Sequence, residues 1–411
     1  MKPKQASYAY DLCVIGGAGH IGLPLGVAFA NAKQRTVLLD VHEEHLEQIR
    51  RGIFPFREEE GAQELARALA AKRLHASSDP QVITASKVVV MIIGTPIDEY
   101  LNPDFAGILS ITEKYLDYFR DGQILILRST VYPGTTERMQ HYFTSRKKNV
   151  KVAFCPERIV EGKAFSEFRT IPQIISAVDR SILPSVKKIF SLLGAPEVIS
   201  VDPMEAELAK LFSNAWRYIK FSVANQFFMI AEDHKLDYYA IHAAMTKGYA
   251  RNKDLPAPGF AAGPCLLKDT MQLAAFNRNN FFLGHSAMLI NEGLPTYLLD
   301  QLAKEVPDLA SKTIGILGMA FKGESDDARD SLSYKIKKVA AIRAKEVLCH
   351  DPYVKDSSLT PMLNEVLERS HVIIIGTPHA AYRKLTKRAY RGKTVVDIWH
   401  LSGSKVLTQY P

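Results

Sequence analysis

With 411 residues, 47% hydrophobic and 23% charged, the chain is long enough for two or three packed domains and is neither disordered nor fibrous in composition. The net charge of +8 comes from scattered basic residues. A polyanionic partner stays open on that ground, and an anionic small molecule suits it as well. Four cysteines, Cys13, Cys155, Cys265 and Cys349, stand far apart without a CxxC pair, which argues against a zinc knuckle or a disulfide framework and points to a reducing compartment.

Residues 1–11 are short and polar before the first strand, and no apolar run approaches the roughly 20 residues that span a bilayer. A cytoplasmic protein without a membrane partner is expected. YDLCVIGGAGHIG then runs from an apolar strand into glycines, LPLGVAFANA continues as a helix, and TVLLDV forms the next strand, a βαβ unit. Within it, Gly17, Gly19 and Gly22 have the GxGxxG spacing of a dinucleotide turn, enclosing His20 and Ile21. The first glycine is expected to make the tight turn, the second to admit a pyrophosphate and the third to let the helix pack closely. Asp40 ends the second strand, where a carboxylate accepts from both ribose hydroxyls and repels a 2′-phosphate, so NAD is expected rather than NADP. The alternative for Asp40 is an aspartate capping a turn.

KVVVMIIGTPID, GQILILRST and VKVAFCPE are further short apolar runs, so a parallel, doubly wound sheet follows. EAELAKLFSNAWRYIKFSVANQFFMIAEDH then has apolar residues at helical spacing for about 30 residues, roughly 45 Å of helix at 1.5 Å per residue. Lys210 and Asn214 lie four apart on it, a cation and an amide suited to one developing oxyanion. In PAPGFAAGPCLLKDTMQLAAF, Cys265 falls where a glycine- and proline-rich loop gives way to a helix, an N-terminus that favours a thiolate, with Lys268 nearby. Asp269 is one helical turn on. The ordinary fate of a cysteine is a buried thiol, and Cys13 and Cys349, in strands, are read that way. Glu157 and Glu161 add carboxylates in CPERIVEGKA; taken singly, either is an ordinary surface group.

The C-terminal part repeats the plan. KTIGILGMAFKG matches the first strand and turn, EVLCHDPY matches TVLLDVHE, and HVIIIGTPHA echoes VVVMIIGTPID in the same order. The fold class expected is therefore α/β, two Rossmann-like doubly wound parallel-sheet domains joined by a long central helix. Boundaries fall at 1–198 for the NAD-binding domain, 199–304 for a central helical dimerisation domain carrying Cys265, and 305–411 for the second Rossmann-like domain.

Six ordered motifs carry a resemblance over nearly the full length: the N-terminal GxGxxG, RSTVYPGTT around Thr130, CPERIVEG, AELAKLFSNA, GPCLLKD and GMAFKGESDDARDS. With them the chain resembles the UDP-glucose/GDP-mannose dehydrogenase family. The resemblance implies NAD in the N-terminal domain, a nucleotide sugar held largely by the C-terminal domain, and a homodimer built through the central helix. It implies a four-electron oxidation of a sugar CH2OH to a carboxylate, with Cys265 capturing the C6 aldehyde and becoming a thioester. Lys210 and Asn214 would stabilise oxyanions, Asp269 and Thr130 would position water or relay protons, and Glu157 would assist hydrolysis. Thr95, Thr130 and Arg329 would join the cofactor site. Glu161, Lys210, Arg251, Phe260, Gly263 and Lys322 would hold substrate, Arg251 by reaching across a dimer. For Arg251, Lys322 and Arg329, a structural salt bridge is an equal alternative. No metal and no nucleic acid enter this reading.

The family loop before the cysteine is commonly GGSC or GGHC, whereas this chain reads Ala261-Ala262-Gly263-Pro264, which narrows the backbone next to the sugar. The arginine of PERIVEG resembles the N-acetylhexosamine branch, while its Glu-Gly and CLLKD resemble the UDP-glucose branch. The expectation falls on UDP-glucose before a UDP-N-acetylhexosamine. Two other readings compete: a two-electron hydroxyacid-type NAD dehydrogenase, which has no need of Cys265 or a second Rossmann-like half, and a catalytically silent nucleotide-binding protein with the fold alone.

Overall fold

A computed structural model describes residues 8–94, 105–360 and 362–411. Thr95 lies outside the described residues. Contacts divide the chain into two units, Met1–Phe212 and Ser213–Pro411, the division falling inside the long helix Pro203–Asp233.

The first unit holds an eight-stranded sheet in the order β3-β2-β1-β4-β5-β6-β7-β8. The strands are β1 Tyr10–Ile15, β2 Thr36–Leu39, β3 Leu74–Ser77, β4 Ser86–Met91, β5 Ile124–Leu127, β6 Lys151–Phe154, β7 Gln173–Ala177 and β8 Val198–Ser200. All neighbours pair parallel except β6 with β7. The runs TVLL and ILIL are buried at every position because helices cover both faces of a parallel sheet. Successive side chains serve opposite cores: Leu125 and Leu127 pack with Cys13 and Ile15, whereas Ile124 and Ile126 pack with Leu12 and Phe29.

The long helix begins on a proline, whose missing N–H costs nothing at a first helical position. Its first turns are tied down by Glu207, a buried carboxylate that accepts from the backbone N–H of Gly134 (2.6 Å) and Thr136 (2.8 Å) and from the Thr136 hydroxyl (2.5 Å). Glu207 thereby satisfies the N-terminus of the helix Thr135–Ser145 in the RSTVYPGTT segment. Burial pushes its carboxyl above the usual range, against the pull of those hydrogen bonds.

The second unit holds a five-stranded sheet, β10-β9-β11-β12-β13, built from β9 Thr313–Leu317, β10 Glu346–His350, β11 Val372–Ile375, β12 Thr394–Val396 and the antiparallel edge β13 Leu407–Gln409. The duplication read from the sequence is visible in register. Ile15 aligns with Leu39 and Met91, and Leu317 aligns with His350 and Ile375. One core joins Phe228 of the long helix, Leu298 and Leu302 of the helix Phe282–Glu305, and Ile314, Ile316 and Ile374 of the sheet. Among the described residues, no helix is long and apolar enough to cross a membrane.

Candidate active site

In the first unit, the turn after β1 explains its own glycines. Gly16 takes φ +79°, and a Cβ there would lie 1.7 Å from the Ile92 carbonyl oxygen. The tight-turn role expected of Gly17 therefore belongs to Gly16, which sequence reasoning passed over although the Gly16-Gly17 doublet was in view. Gly17 is required for packing, since its Cβ would sit 2.7 Å from Leu38 Cβ. At Gly22 a Cβ would fall 2.0 Å from the Gly16 oxygen, which is the close helix approach expected of it.

Gly19 differs from these three. Among the described residues a Cβ there would meet only the Gly16 oxygen, at 3.5 Å, so their packing does not demand a glycine. The helix Gly22–Asn31 that follows has no side-chain cap at Ile21. Open space beside Gly19 and an uncapped helix start fit the pyrophosphate of a dinucleotide. His20 stacks on Phe56 with ring centroids 4.1 Å apart. Half-buried Asp40 is aimed by the turn itself: Oδ2 accepts from Ala18 N–H at 2.9 Å and Oδ1 from His42 N–H at 3.0 Å. Each oxygen keeps a second lone pair for a ribose hydroxyl, so the turn-capping role and the ribose role coexist.

Thr130 is half-buried just beyond the C-terminal end of β5, the edge where ligands meet a doubly wound sheet. Glu157 is more constrained than the sequence suggested. Its Oε2 accepts from Nε of Arg128 at 2.8 Å, and its Oε1 from the N–H groups of Arg158 (2.8 Å) and Ile159 (3.1 Å). Arg128, 1% exposed, also donates to the Cys155 carbonyl and the Gln173 side chain, both at 3.0 Å, and its guanidinium carbon lies 4.7 Å from the Phe190 ring centre. Glu161 and Lys210 are half-buried, and Lys210 has no carboxylate partner among the described residues.

In the second unit, Cys265 caps the N-terminus of the helix Leu266–Phe276 and is exposed. The other three cysteines are buried; burial pushes the thiols of Cys155 to about 12 and Cys349 to about 11, and that of Cys13 upward as well. Asp269 N–H donates to the Cys265 carbonyl at 2.9 Å, the one-turn relation read from spacing. Asp269 is 0% exposed; its Oδ2 accepts from Asn214 Nδ2 at 2.5 Å, and Lys268 Nζ stands 3.1 Å from Oδ1. The cation near the cysteine is thus engaged by Asp269, and buried Asn214 and Asp269 with half-buried Lys268 form one polar group beside the first turn that follows the cysteine.

The unusual loop before Cys265 is accommodated without strain at its alanines. Only Gly263 has positive φ, +98°, and a Cβ there would press on the Phe321 ring at 2.5 Å. Ala261 and Ala262 stand outside the left-handed region. Phe260 is buried edge-on against Trp399 with centroids 5.8 Å apart. Arg251 is exposed beside Tyr249. Lys322 lies over the Phe321 ring. Arg329 closes an ion pair with Asp327 at 2.6 Å while its side chain stays 56% exposed.

The second glycine turn has diverged from the first. Gly318 keeps the positive φ (+98°), and Asp351 Oδ2 accepts from Met319 and Ala320 N–H as Asp40 does from Ala18. Counting from each strand end, Phe321 stands where Gly19 stands, so a phenyl ring, packed close to Gly263, occupies the position left open in the first turn. His379 Nε2 lies 3.1 Å from Asp351, and its Nδ1 accepts from Glu324 N–H.

A dinucleotide turn with an aimed carboxylate, followed by a second Rossmann-like half whose turn carries Phe321 where the first carries Gly19, defines a dinucleotide-binding protein of two-sheet design. The NAD-binding, central and UDP-binding domain models of the UDP-glucose/GDP-mannose dehydrogenase family match residues 10–193, 204–292 and 315–403. The chain belongs to that family, and its cofactor is NAD. It is 28% identical to a UDP-N-acetyl-D-mannosamine dehydrogenase of Pyrococcus horikoshii, with 93% of each chain covered. The solved structure described as a UDP-D-ManNAc dehydrogenase from P. horikoshii superposes with a TM-score of 0.86 at 26% identity, covering 92% of this chain and 91% of that one. A UDP-glucose dehydrogenase from the archaeon Pyrobaculum islandicum gives 0.85 at 26%, covering 98% and 96%.

Proposed function

We propose that the chain oxidises the C6 hydroxymethyl group of a UDP-hexose to a carboxylate in two NAD-dependent steps, through a thioester on Cys265. The observation that carries this is an exposed cysteine at a helix N-terminus, one turn from the buried Asn214–Asp269 pair with half-buried Lys268 beside it. An alcohol-to-acid oxidation removes four electrons, more than one nicotinamide accepts. NAD, when bound, accepts a hydride at each oxidation. Cys265 holds the carbon between the steps: its sulfur adds to the aldehyde, the resulting thiohemiacetal loses the second hydride, and water displaces the thiol. The overall balance is RCH2OH + 2 NAD+ + H2O giving RCOO− + 2 NADH + 3 H+.

In this reading the helix N-terminus favours the Cys265 thiolate. Asn214, aimed by Asp269, and Lys210, one turn earlier on the same helix, stabilise oxygen as it gains charge. Asp269 and Thr130 orient water, and Glu157 assists hydrolysis by shaping its loop while bound to Arg128. Glu161, Arg251, Phe260, Gly263 and Lys322 hold the nucleotide sugar, and Arg329 contributes beside the cofactor. Among UDP-hexoses we favour a 2-acetamido sugar over the UDP-glucose expected from the sequence, because the chain is 28% identical to a UDP-N-acetyl-D-mannosamine dehydrogenase over 93% of its length; UDP-glucose is the alternative, supported by CLLKD. A homodimer through the long helix is part of the proposal. Trp216, Val223, Phe227 and Ile230 are all exposed at helical spacing, an apolar stripe suited to a second copy.

The deciding experiment supplies NAD with a panel of UDP-hexoses and counts NADH against product by mass spectrometry. Two NADH per uronate are expected, with Cys265→Ser abolishing four-electron turnover while leaving NAD binding intact. One NADH per sugar with a carbonyl product would sink the proposal, and turnover of UDP-glucose alone would reverse the choice of sugar. For the dimer, Phe227→Glu should shift the sedimentation coefficient to that of a monomer; an unchanged value removes the stripe as the interface.

A further inference from the structure

The loop that delivers Cys265, residues 257–264, has no helix or strand of its own. Its position therefore depends on what grips it. At its upstream end Gly259 is held at two points by one side chain: Gly259 N–H donates to Asn225 Oδ1 at 2.9 Å, and Asn225 Nδ2 donates to the Gly259 carbonyl at 3.0 Å. A reciprocal pair of this kind restrains rotation as well as translation of the peptide. On the far side the loop is backed by Trp399, which a Cβ on Gly259 would approach to 2.4 Å.

An amide can face either way, and Asn291 decides which. Asn225 Nδ2 also donates to Asn291 Oδ1 at 2.9 Å, while Asn291 Nδ2 is committed to the Tyr218 carbonyl at 3.1 Å. Reversing Asn225 would set its oxygen against two other oxygens, Asn291 Oδ1 and the Gly259 carbonyl. Both asparagines are 0% exposed, so no water can relieve such a clash of acceptors. Asn291 sits four residues before Pro295 inside the helix Phe282–Glu305, where proline has no N–H to return to the Asn291 carbonyl. Downstream of the cysteine, the Asn214–Asp269 bond holds the first turn of the helix.

We infer that Asn225 and Asn291 form a positioning pair that sets where the Cys265 thiol stands, and through it the rate of carbon–sulfur bond formation. The inference rests on the reading of Cys265 as the nucleophile. A nucleophile misplaced by about 1 Å loses on the order of a hundredfold in rate, which is why a loop-borne cysteine needs such a grip. Asn225 and Asn291 touch no reacting atom in this scheme; their effect passes through the backbone of Gly259.

The test uses the full chain with Asn225→Leu and Asn291→Leu. NADH formation at saturating NAD and UDP-hexose is expected to lose tenfold or more in kcat in both leucine variants. KM for NAD should stay within twofold. Without sugar, alkylation of Cys265 by iodoacetamide is expected to slow at least fivefold in the leucine variants, as the thiol leaves the helix N-terminus. The buried Cys13, Cys155 and Cys349 do not compete for the reagent.

A folded Asn225→Leu protein with kcat and alkylation rate within twofold of the parent overturns the inference. So does failure of both variants to fold, which assigns the pair to stability alone. Failure of the nucleophile reading shows separately: Cys265→Ser then keeps turnover, whereas a failed positioning role leaves Cys265→Ser inactive and Asn225→Leu active.

Discussion

Removal of Arg128 should cost the first unit heavily. Its side chain is fully buried and serves three acceptors: the Glu157 carboxylate, the Cys155 carbonyl and the Gln173 amide. Methionine at this position preserves much of the packing against Phe190 but leaves Glu157, only 10% exposed at its side chain, as a buried charge without its cation. Breaking a buried ion pair from one side costs about 3–5 kcal/mol. Removing the charge as well, in Arg128→Met/Glu157→Gln, eliminates the stranded carboxylate, and the cost should fall to about 1–2 kcal/mol for the remaining unsatisfied acceptors. For a unit of this size that translates to a drop in melting temperature of roughly 6–20 °C for the single variant. Differential scanning calorimetry of the parent, both single variants and the double variant completes a double-mutant cycle with a coupling of about 2–3 kcal/mol expected. An Arg128→Met protein melting within about 3 °C of the parent, or a double variant no more stable than Arg128→Met, refutes the buried-pair coupling.

Two further outcomes separate packing from ligand binding and set a pH dependence. Gly19→Ala meets no atom of the described residues closer than 3.5 Å, so it should leave the melting temperature unchanged or slightly raised yet weaken NAD binding at least tenfold in titration calorimetry; affinity within twofold of the parent would falsify the placement of the pyrophosphate there. Burial alone would raise the Asp351 carboxyl, but the hydrogen bond and charge of His379 and the N–H groups of Val354 and Tyr353 outweigh it and hold the group well below the usual range. A lowered folded-state value means that the unfolded chain binds the proton first. The stabilisation is thus fully present above about pH 4 and is lost as pH falls below it. Asp351→Asn should lower stability at pH 7 and flatten the acid limb of a melting-temperature profile between pH 5 and 2; an acid limb as steep as the parent's removes Asp351 from that role.

What could be read directly from the chain was whatever repeats locally. Apolar runs of four to six residues marked the parallel strands, and helical spacing marked the long helix Pro203–Asp233. The order of three matching segments revealed the duplicated half, because strand pairing and a turn aspartate leave signatures within about 30 residues. The helix start at Cys265 and the one-turn relation to Asp269 were likewise local. The tertiary structure alone decided which polar residues are joined. Glu207 reaches 73 residues back to Gly134, Arg128 joins Glu157 across 29, and Asn225 meets Gly259 and Asn291 across 34 and 66. Nothing in the spacing of an asparagine or a glutamate announces such a partner. The energy of these bonds comes from burial that only the packed chain creates, and the same packing assigned the tight turn to Gly16 and made Gly263 the positive-φ glycine of the cysteine loop.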